Sequence, residues 1–144
     1  MNGLLLYNSM DWELVNIAHL RPHECTLPHR VDEMLRKLRT NNFFHKPILI
    51  DRATMAILDG HHRYTASLRL GLHSVPALVL DYLEDDGVKV EAWPPHAPDS
   101  VSKEDVLAVA LSQELMPPKT TRHTIAMAMP QLSVPLSELR SIAC

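Results

Sequence analysis

The spacing of apolar residues along the chain changes several times, and each change marks an element. Between Met10 and Ile17 apolar and polar residues mix at short spacing, and Asp11-Trp12-Glu13-Leu14-Val15 reads as a strand. Arg21-Pro22-His23-Glu24 interrupts regular structure. From Pro28 to Thr40, Val31, Leu35 and Leu38 recur at i, i+4 and i+7 with Met34 beside them and charges opposite, which predicts a helix. Asn41-Asn42 is its stop. The short apolar runs Pro47–Ile50 and Met55–Leu58, joined through Asp51-Arg52-Ala53-Thr54, predict a β-hairpin. Gly60 marks a sharp exit, Tyr64–Leu70 reads as a helix, and Gly71 as its C-cap. Val75–Leu80 is a further strand, Glu84-Asp85-Asp86-Gly87 a charged turn, and Val88–Trp93 alternates as a strand should.

Pro94–Pro98 is a proline-rich connection, and Ser102 caps a helix that runs to about Glu114 with Val106, Leu107, Ala110 and Leu111 on one face. Pro117-Pro118 ends that helix. Lys119-Thr120-Thr121-Arg122-His123 follows as a polar loop before an apolar run from Ile125 to Met129. No internal repeat is present. Helices and strands mix in order, so the class is α+β, and 144 residues fit one compact domain, 1–144, with a core of its own.

Charge narrows the partners. The formal net charge is −3, without the Lys and Arg surplus that displaces counterions from a duplex, so nucleic acid is not the expected ligand. Apolar stretches are too short to span a bilayer. Two cysteines, Cys25 and Cys144, form neither a disulfide framework nor a zinc site, and the N-terminus lacks the features of a signal peptide. A reducing cytoplasm is the expected compartment.

The densest chemical signal is Asp59-Gly60-His61-His62-Arg63, where a strand gives way to a helix. Such a junction offers unpaired N–H groups and the positive end of a helix dipole, which suit phosphate. Gly60 permits close backbone approach, Arg63 grips oxygens bidentately, and the imidazoles donate hydrogen bonds. Asp59 is positioned to hold Mg²⁺ or to orient a hydroxyl. Zinc is disfavoured because no third and fourth ligands stand at recognisable spacing. Lys119-Thr120-Thr121-Arg122-His123 combines cations, hydroxyls and an imidazole, a second segment suited to phosphate oxygens. Glu24 projects from a stretch without helical periodicity, where a carboxylate can accept a proton from an attacking hydroxyl. Trp93 is a candidate pocket wall beside Pro94-Pro95, while His19, His29, His45, His73 and His96 have no assignable partners.

Taken together, Leu20-Arg21-Pro22-His23-Glu24, Pro28-His29-Arg30-Val31, Pro47-Ile48, Asp51, Leu58 to Arg63, Leu70-Gly71 and Val75-Pro76 resemble the ParB/sulfiredoxin-like superfamily. Within it the chain is most similar to the free serine kinases, through the DGHHR box at 59–63, the HE pair at 23–24 and the PPKTTRH segment at 117–123. ParB domains carry a GERR-type box where this chain has Gly60-His61-His62-Arg63. Sulfiredoxins need a cysteine where it has His61 or His62, and without that thiolate their chemistry has no nucleophile.

The resemblance implies a small mixed sheet flanked by helices and phosphoryl transfer from ADP or ATP to the hydroxyl of L-serine. It places the phosphates on Gly60, His61, His62 and Arg63 and on Lys119, Thr120, Thr121 and Arg122, with Mg²⁺ bridging them. Glu24 is the implied general base, Asp59 assists and binds the metal, and Trp93 and His123 line the amino-acid side. The alternative is a ParB-like module that binds nucleotide as a regulatory switch and has no kinase activity.

Overall fold

The computed structural model describes residues 12–93 and 101–140. Asp11 of the expected first strand, the connection 94–98 with His96, and Cys144 lie outside them. Strand β1 (Trp12–Asn16) opens the described chain, and a 3₁₀ turn follows at Ile17–His19. Helix α1 (Pro28–Asn41), strands β2 (Phe43–Phe44), β3 (Ile48–Asp51) and β4 (Ile57–Asp59), and helix α2 (His61–Arg69) come next. Strands β5 (Ser74–Leu80) and β6 (Val88–Ala92), helix α3 (Lys103–Ser112), and strands β7 (Thr121–Ile125) and β8 (Val134–Pro135) complete the order. No helix among the described residues is long and apolar enough to cross a membrane.

The main sheet runs β1-β5-β3-β4. It is mixed: β1 and β4 pair antiparallel with their neighbours, while β3 and β5 are parallel. Both faces are covered, and the period-two alternation divides the strand residues between them. Ile48, Ile50, Ile57, Val75 and Ala77 pack with Val31, Leu35 and Leu38 of α1 and Ala66 of α2. Leu49, Leu58 and Leu78 point the other way, to Val106, Leu107 and Ala110 of α3 and Val88 of β6. The chain is therefore α+β with a small mixed sheet between helices, as its residues and its resemblance imply. The i, i+4, i+7 stripe of α1 is buried as expected, whereas Leu111 of α3 stays 52% exposed, outside the buried face.

Two boundaries differ from expectation in ways that matter for the site. Helix α2 begins at His61, so His61, His62 and Arg63 form its first turn instead of preceding it. Periodicity could not reveal this, because the first turn of a helix that starts at a polar site has no apolar stripe. Residues 121–123 are not loop: they begin β7, which pairs antiparallel with β6 from Thr121↔Ala92 to Ile125↔Val88. Pairing with a distant strand overrides their polar composition.

A strap at 20–27 ties these parts together. Arg21 accepts from the Ile57 amide, at 2.8 Å, and donates to Met55, at 2.9 Å. His23 and Cys25 then hydrogen-bond Met116 from both sides of Glu24, each at 2.8 Å. At the exit of β4, Gly60 has φ 112°, and a Cβ there would lie 3.1 Å from Cγ1 and 3.2 Å from Cγ2 of Ile48. Substitution Gly60→Ala should therefore cost ~1–3 kcal/mol through backbone strain, read as a lower midpoint in denaturant unfolding. An unchanged midpoint would show that the turn relaxes freely.

Candidate functional site

The end of β4, the first turn of α2, the strap and the start of β7 meet at one cavity of about 560 Å³. Of the expected site residues, Glu24, Asp59, Gly60, His61, His62, Arg63, Trp93, Lys119, Thr121, Arg122 and His123 line it. The two cationic segments, distant in sequence, thus line one cavity. Thr120 is not among the lining residues, and its hydroxyl donates to the Pro117 carbonyl at 2.6 Å. Sequence reading missed the third wall, His29, Arg30, Glu33, Met34 and Lys37 of α1. Their i, i+3, i+4, i+7 recurrence was visible, but it reads equally as a solvated helix face.

The cavity is positive in a chain that is negative overall. Arg30, Lys37, Arg63, Lys119 and Arg122 stand against Glu24, Glu33 and Asp59. The first turn of α2 adds to this, because Gly60 at its N-cap has no side chain to satisfy the leading N–H groups. Arg63 is braced in place, since its Nη1 donates to the Lys46 and Pro47 carbonyls, at 2.9 and 2.7 Å. Across the cavity, the Lys119 ammonium lies 5.0 Å and the Arg122 guanidinium 4.8 Å from the centre of the Trp93 ring. Arg122 also pairs with Glu91 on the neighbouring strand. Trp93 therefore serves as a platform for cations, contacts worth roughly 0.5–1 kcal/mol each at exposed sites.

Glu24 holds the second segment in shape. Its Oε2 accepts from the Lys119 amide at 3.1 Å, and its Oε1 from the Thr121 amide and hydroxyl at 3.0 and 2.8 Å. A carboxylate offers about four acceptor positions, so one remains, on Oε2. Thr121, 7% exposed, turns its hydroxyl inward to Glu24 and His23, not toward the cavity.

The imidazoles are held neutral. His61 Nε2 accepts the His23 amide, and His62 Nε2 the Leu27 amide, both at 3.1 Å. An imidazolium accepts neither, so these bonds require a bare Nε2. Burial lowers His61 well below its ordinary value and lowers His62 and His23, with nearby imidazoles adding to the effect on His61. Burial takes His123 down to about 3, and its Nε2 hydrogen-bonds the Tyr82 hydroxyl at 2.8 Å. Tyr82 is itself held by its amide on the buried Asp51 carboxylate, at 3.2 Å. Because these histidines are lowered in the folded chain, the unfolded chain binds more protons below the ordinary histidine value of about 6.5. Their stabilisation is complete above that value and is lost as pH falls. Thermal unfolding should therefore show Tm dropping from about pH 7 to about pH 5; a Tm that holds or rises would mean the imidazoles are not buried neutral.

No protein-family model matches the chain. It is 46% identical over 84 residues to a ParB-like protein of Sulfolobus acidocaldarius, a stretch covering 58% of this chain and 40% of that one. It is 33% identical over 94 residues to an ATP-dependent L-serine kinase of Staphylothermus marinus (62% and 37% of the two chains). With an ADP-dependent L-serine kinase of Thermococcus kodakarensis it shares 30% over 90 residues (60% and 37%). The matches span about two fifths of the length of these curated relatives. Among solved structures, a free serine kinase in complex with AMP superposes with a TM-score of 0.80 at 18% identity, covering 90% of this chain and 93% of that one. A C-terminally truncated SbnI from Staphylococcus aureus does so with 0.79 at 16% identity, over 92% and 90%. The chain has the fold of the free serine kinases, and over about three fifths of its length its sequence is similar to both ParB-like proteins and L-serine kinases.

Proposed function

We propose that this chain, as one domain over 1–144 acting in the cytoplasm, transfers the terminal phosphoryl group of ADP or ATP to the hydroxyl of L-serine, giving O-phospho-L-serine. The observation that carries this reading is the shared cavity: a helix N-terminus with Arg63 on one side, Lys119 and Arg122 on the other, and a carboxylate between them. Phosphoryl transfer is dominated by positioning and charge stabilisation, and both cationic walls supply it. The similarity to ATP- and ADP-dependent L-serine kinases supports the choice of substrate and donor.

In this reading the phosphate chain lies along the Gly60–Arg63 turn and under Lys119 and Arg122, with His61 and His62 contributing ring N–H groups. Thr120 and Thr121 give the second segment its shape, through the Pro117 carbonyl and the Glu24 carboxylate. Glu24 takes the serine hydroxyl proton on its remaining acceptor position as oxygen attacks phosphorus. Trp93 and His123 border the amino acid. Among the described residues no group of three or more His, Cys, Asp or Glu is placed to hold a metal by itself. Mg²⁺ commonly binds through one or two carboxylates and substrate phosphates, and Asp59, exposed on the cavity wall, fits that mode. When bound, Mg²⁺ neutralises phosphate charge; Asp59 would hold it.

A second reading draws on the three hydrogen bonds to Glu24: a nucleotide-binding regulatory module in which Glu24 is only a clamp. Serine incubated with Mg²⁺ and ADP or ATP separates the two. Phosphorus NMR should reveal phosphoserine and the nucleotide shortened by one phosphate; bound nucleotide without phosphoserine would favour the module. Arg122→Ala should raise the nucleotide Kd about tenfold, since a charge-assisted hydrogen bond contributes ~1.5–3 kcal/mol, and an unchanged Kd would remove Arg122 from the site. Glu24→Gln should lower kcat by ~10²-fold or more. It should also raise the nucleotide KM, because the amide NH₂ meets the backbone N–H of Lys119 or Thr121. Full kcat in this variant would exclude Glu24 as base.

A further inference from the structure

Behind Glu24 the site continues into the core through Thr121 to His23. The His23 ring is fully buried. Its Nδ1 lies 2.7 Å from the Ile57 carbonyl, which only accepts, so Nδ1 carries a proton. Its Nε2 lies 3.1 Å from Thr121 Oγ1, which lies 2.8 Å from Glu24 Oε1. Counting protons along this line exposes a deficit. With Glu24 ionised and His23 neutral, the Thr121 hydroxyl is the one donor for two contacts. It serves the carboxylate, the stronger acceptor, and leaves His23 Nε2 as a buried lone pair facing an oxygen. One further proton completes the line, either on Nε2 or on Oε1, with the hydroxyl turned accordingly.

We propose that His23 is the terminal store for the proton removed from the substrate hydroxyl, reached from Glu24 through Thr121, so that His23 and Thr121 are positioning residues for the reaction. This inference rests on the kinase reading. As the hydroxyl oxygen bonds the terminal phosphorus, the bridging P–O bond breaks and the shortened nucleotide leaves with its electron pair. The hydroxyl proton goes to Glu24. The proton arrives at the open position on Oε2, rotation of the neutral carboxyl brings it to Thr121 Oγ, and Oγ takes it as the Thr121 hydroxyl, turned to His23, gives its former proton to Nε2. Glu24 returns to carboxylate, His23 becomes an imidazolium donating at both nitrogens, and no atom is left over. The proton retraces this route as the product departs.

The surroundings suit a store that is empty before reaction. The titratable groups facing the His23 ring are Glu24 beside it on the strap, His61 of α2 with ring centroids 4.6 Å apart, and His123 of β7 at 6.0 Å. Burial favours neutral His23, while the Glu24 carboxylate and the Ile57 carbonyl favour the imidazolium. His61 Nε2 is occupied as acceptor of the His23 amide and His123 Nε2 is hydrogen-bonded to the Tyr82 hydroxyl, so neither nitrogen is open to the proton.

The test joins imidazole ¹⁵N NMR with kinetics on the full chain. At neutral pH His23 should show Nδ1 protonated and Nε2 bare, and acid should protonate Nε2. Thr121→Val removes the acceptor for Nε2–H, so His23 should protonate at lower pH than in wild type. The same variant should lose about tenfold or more in kcat, a loss larger than any rise in nucleotide KM from the lost Thr121–Glu24 bond. Thr121→Ser, which restores the hydroxyl, should recover most of that loss and return the His23 titration toward wild type. A His23 ring protonated at Nε2 alone, or a Thr121→Val variant with wild-type kcat and an unmoved His23 titration, would overturn the relay. If wild type makes no phosphoserine, the kinase reading fails and takes the relay with it. If wild type is active and His23 behaves otherwise, the relay alone fails.

Discussion

The Glu24 carboxylate, clasped by the amides of Lys119 and Thr121 and by the Thr121 hydroxyl, closes the molecule around its cavity. It joins a strap near the N-terminus to a segment almost a hundred residues later. Lys119 has φ 61°, in the left-handed region that an ordinary side chain seldom adopts. The two amides bound to one carboxylate hold that conformation in place. With the segment so bent, Lys119 and Arg122 both reach the Trp93 ring, and Arg122 is steadied by Glu91. The charge on the cavity wall therefore depends on a carboxylate that itself lines the cavity. Shape and chemistry rest on the same two oxygens.

The buried imidazoles form the second layer of this design. In most folds the amides of an irregular strap would be satisfied by water or by a neighbouring strand. Here His61 and His62 of α2 accept the His23 and Leu27 amides, so the helix whose first turn lines the cavity also fixes the strap that carries Glu24. The bonds demand neutral rings, and burial supplies that state. Protonating either of these rings at Nε2 would cost a backbone hydrogen bond and add charge beside the others. The cavity gains cations from Arg and Lys while His61 and His62 remain uncharged acceptors, a division of labour that avoids like-charge repulsion beside the strap.

Much of the fold was legible in local pattern because burial imposes it residue by residue. The stripe of Val31, Leu35 and Leu38, the hairpin around residues 51–54 and the capping serine at 102 all reappear in the structure. The start of α2 and the strand at 121–125 were not legible, since both are polar segments whose conformation depends on partners far along the chain. The site followed the same division. Asp59 to Arg63 and Lys119 to His123 announced themselves by density of functional groups, whereas the wall from α1 looked like any charged helix face.

By itself the sequence determined which residue types were available for phosphate, where two such clusters lay, and that a carboxylate stood upstream of both. Those are properties of short windows, set by side-chain chemistry and by hydrophobic period. Only the tertiary structure decided that the clusters face each other, that Thr121 turns inward to His23 and Glu24, and that His61 and His62 are neutral acceptors of amides in the strap. The reason is physical: hydrogen bonds between residues 23 and 121, or 24 and 119, span separations across which no local propensity acts. The packed sheet and its two covered faces bring those partners within 3.1 Å.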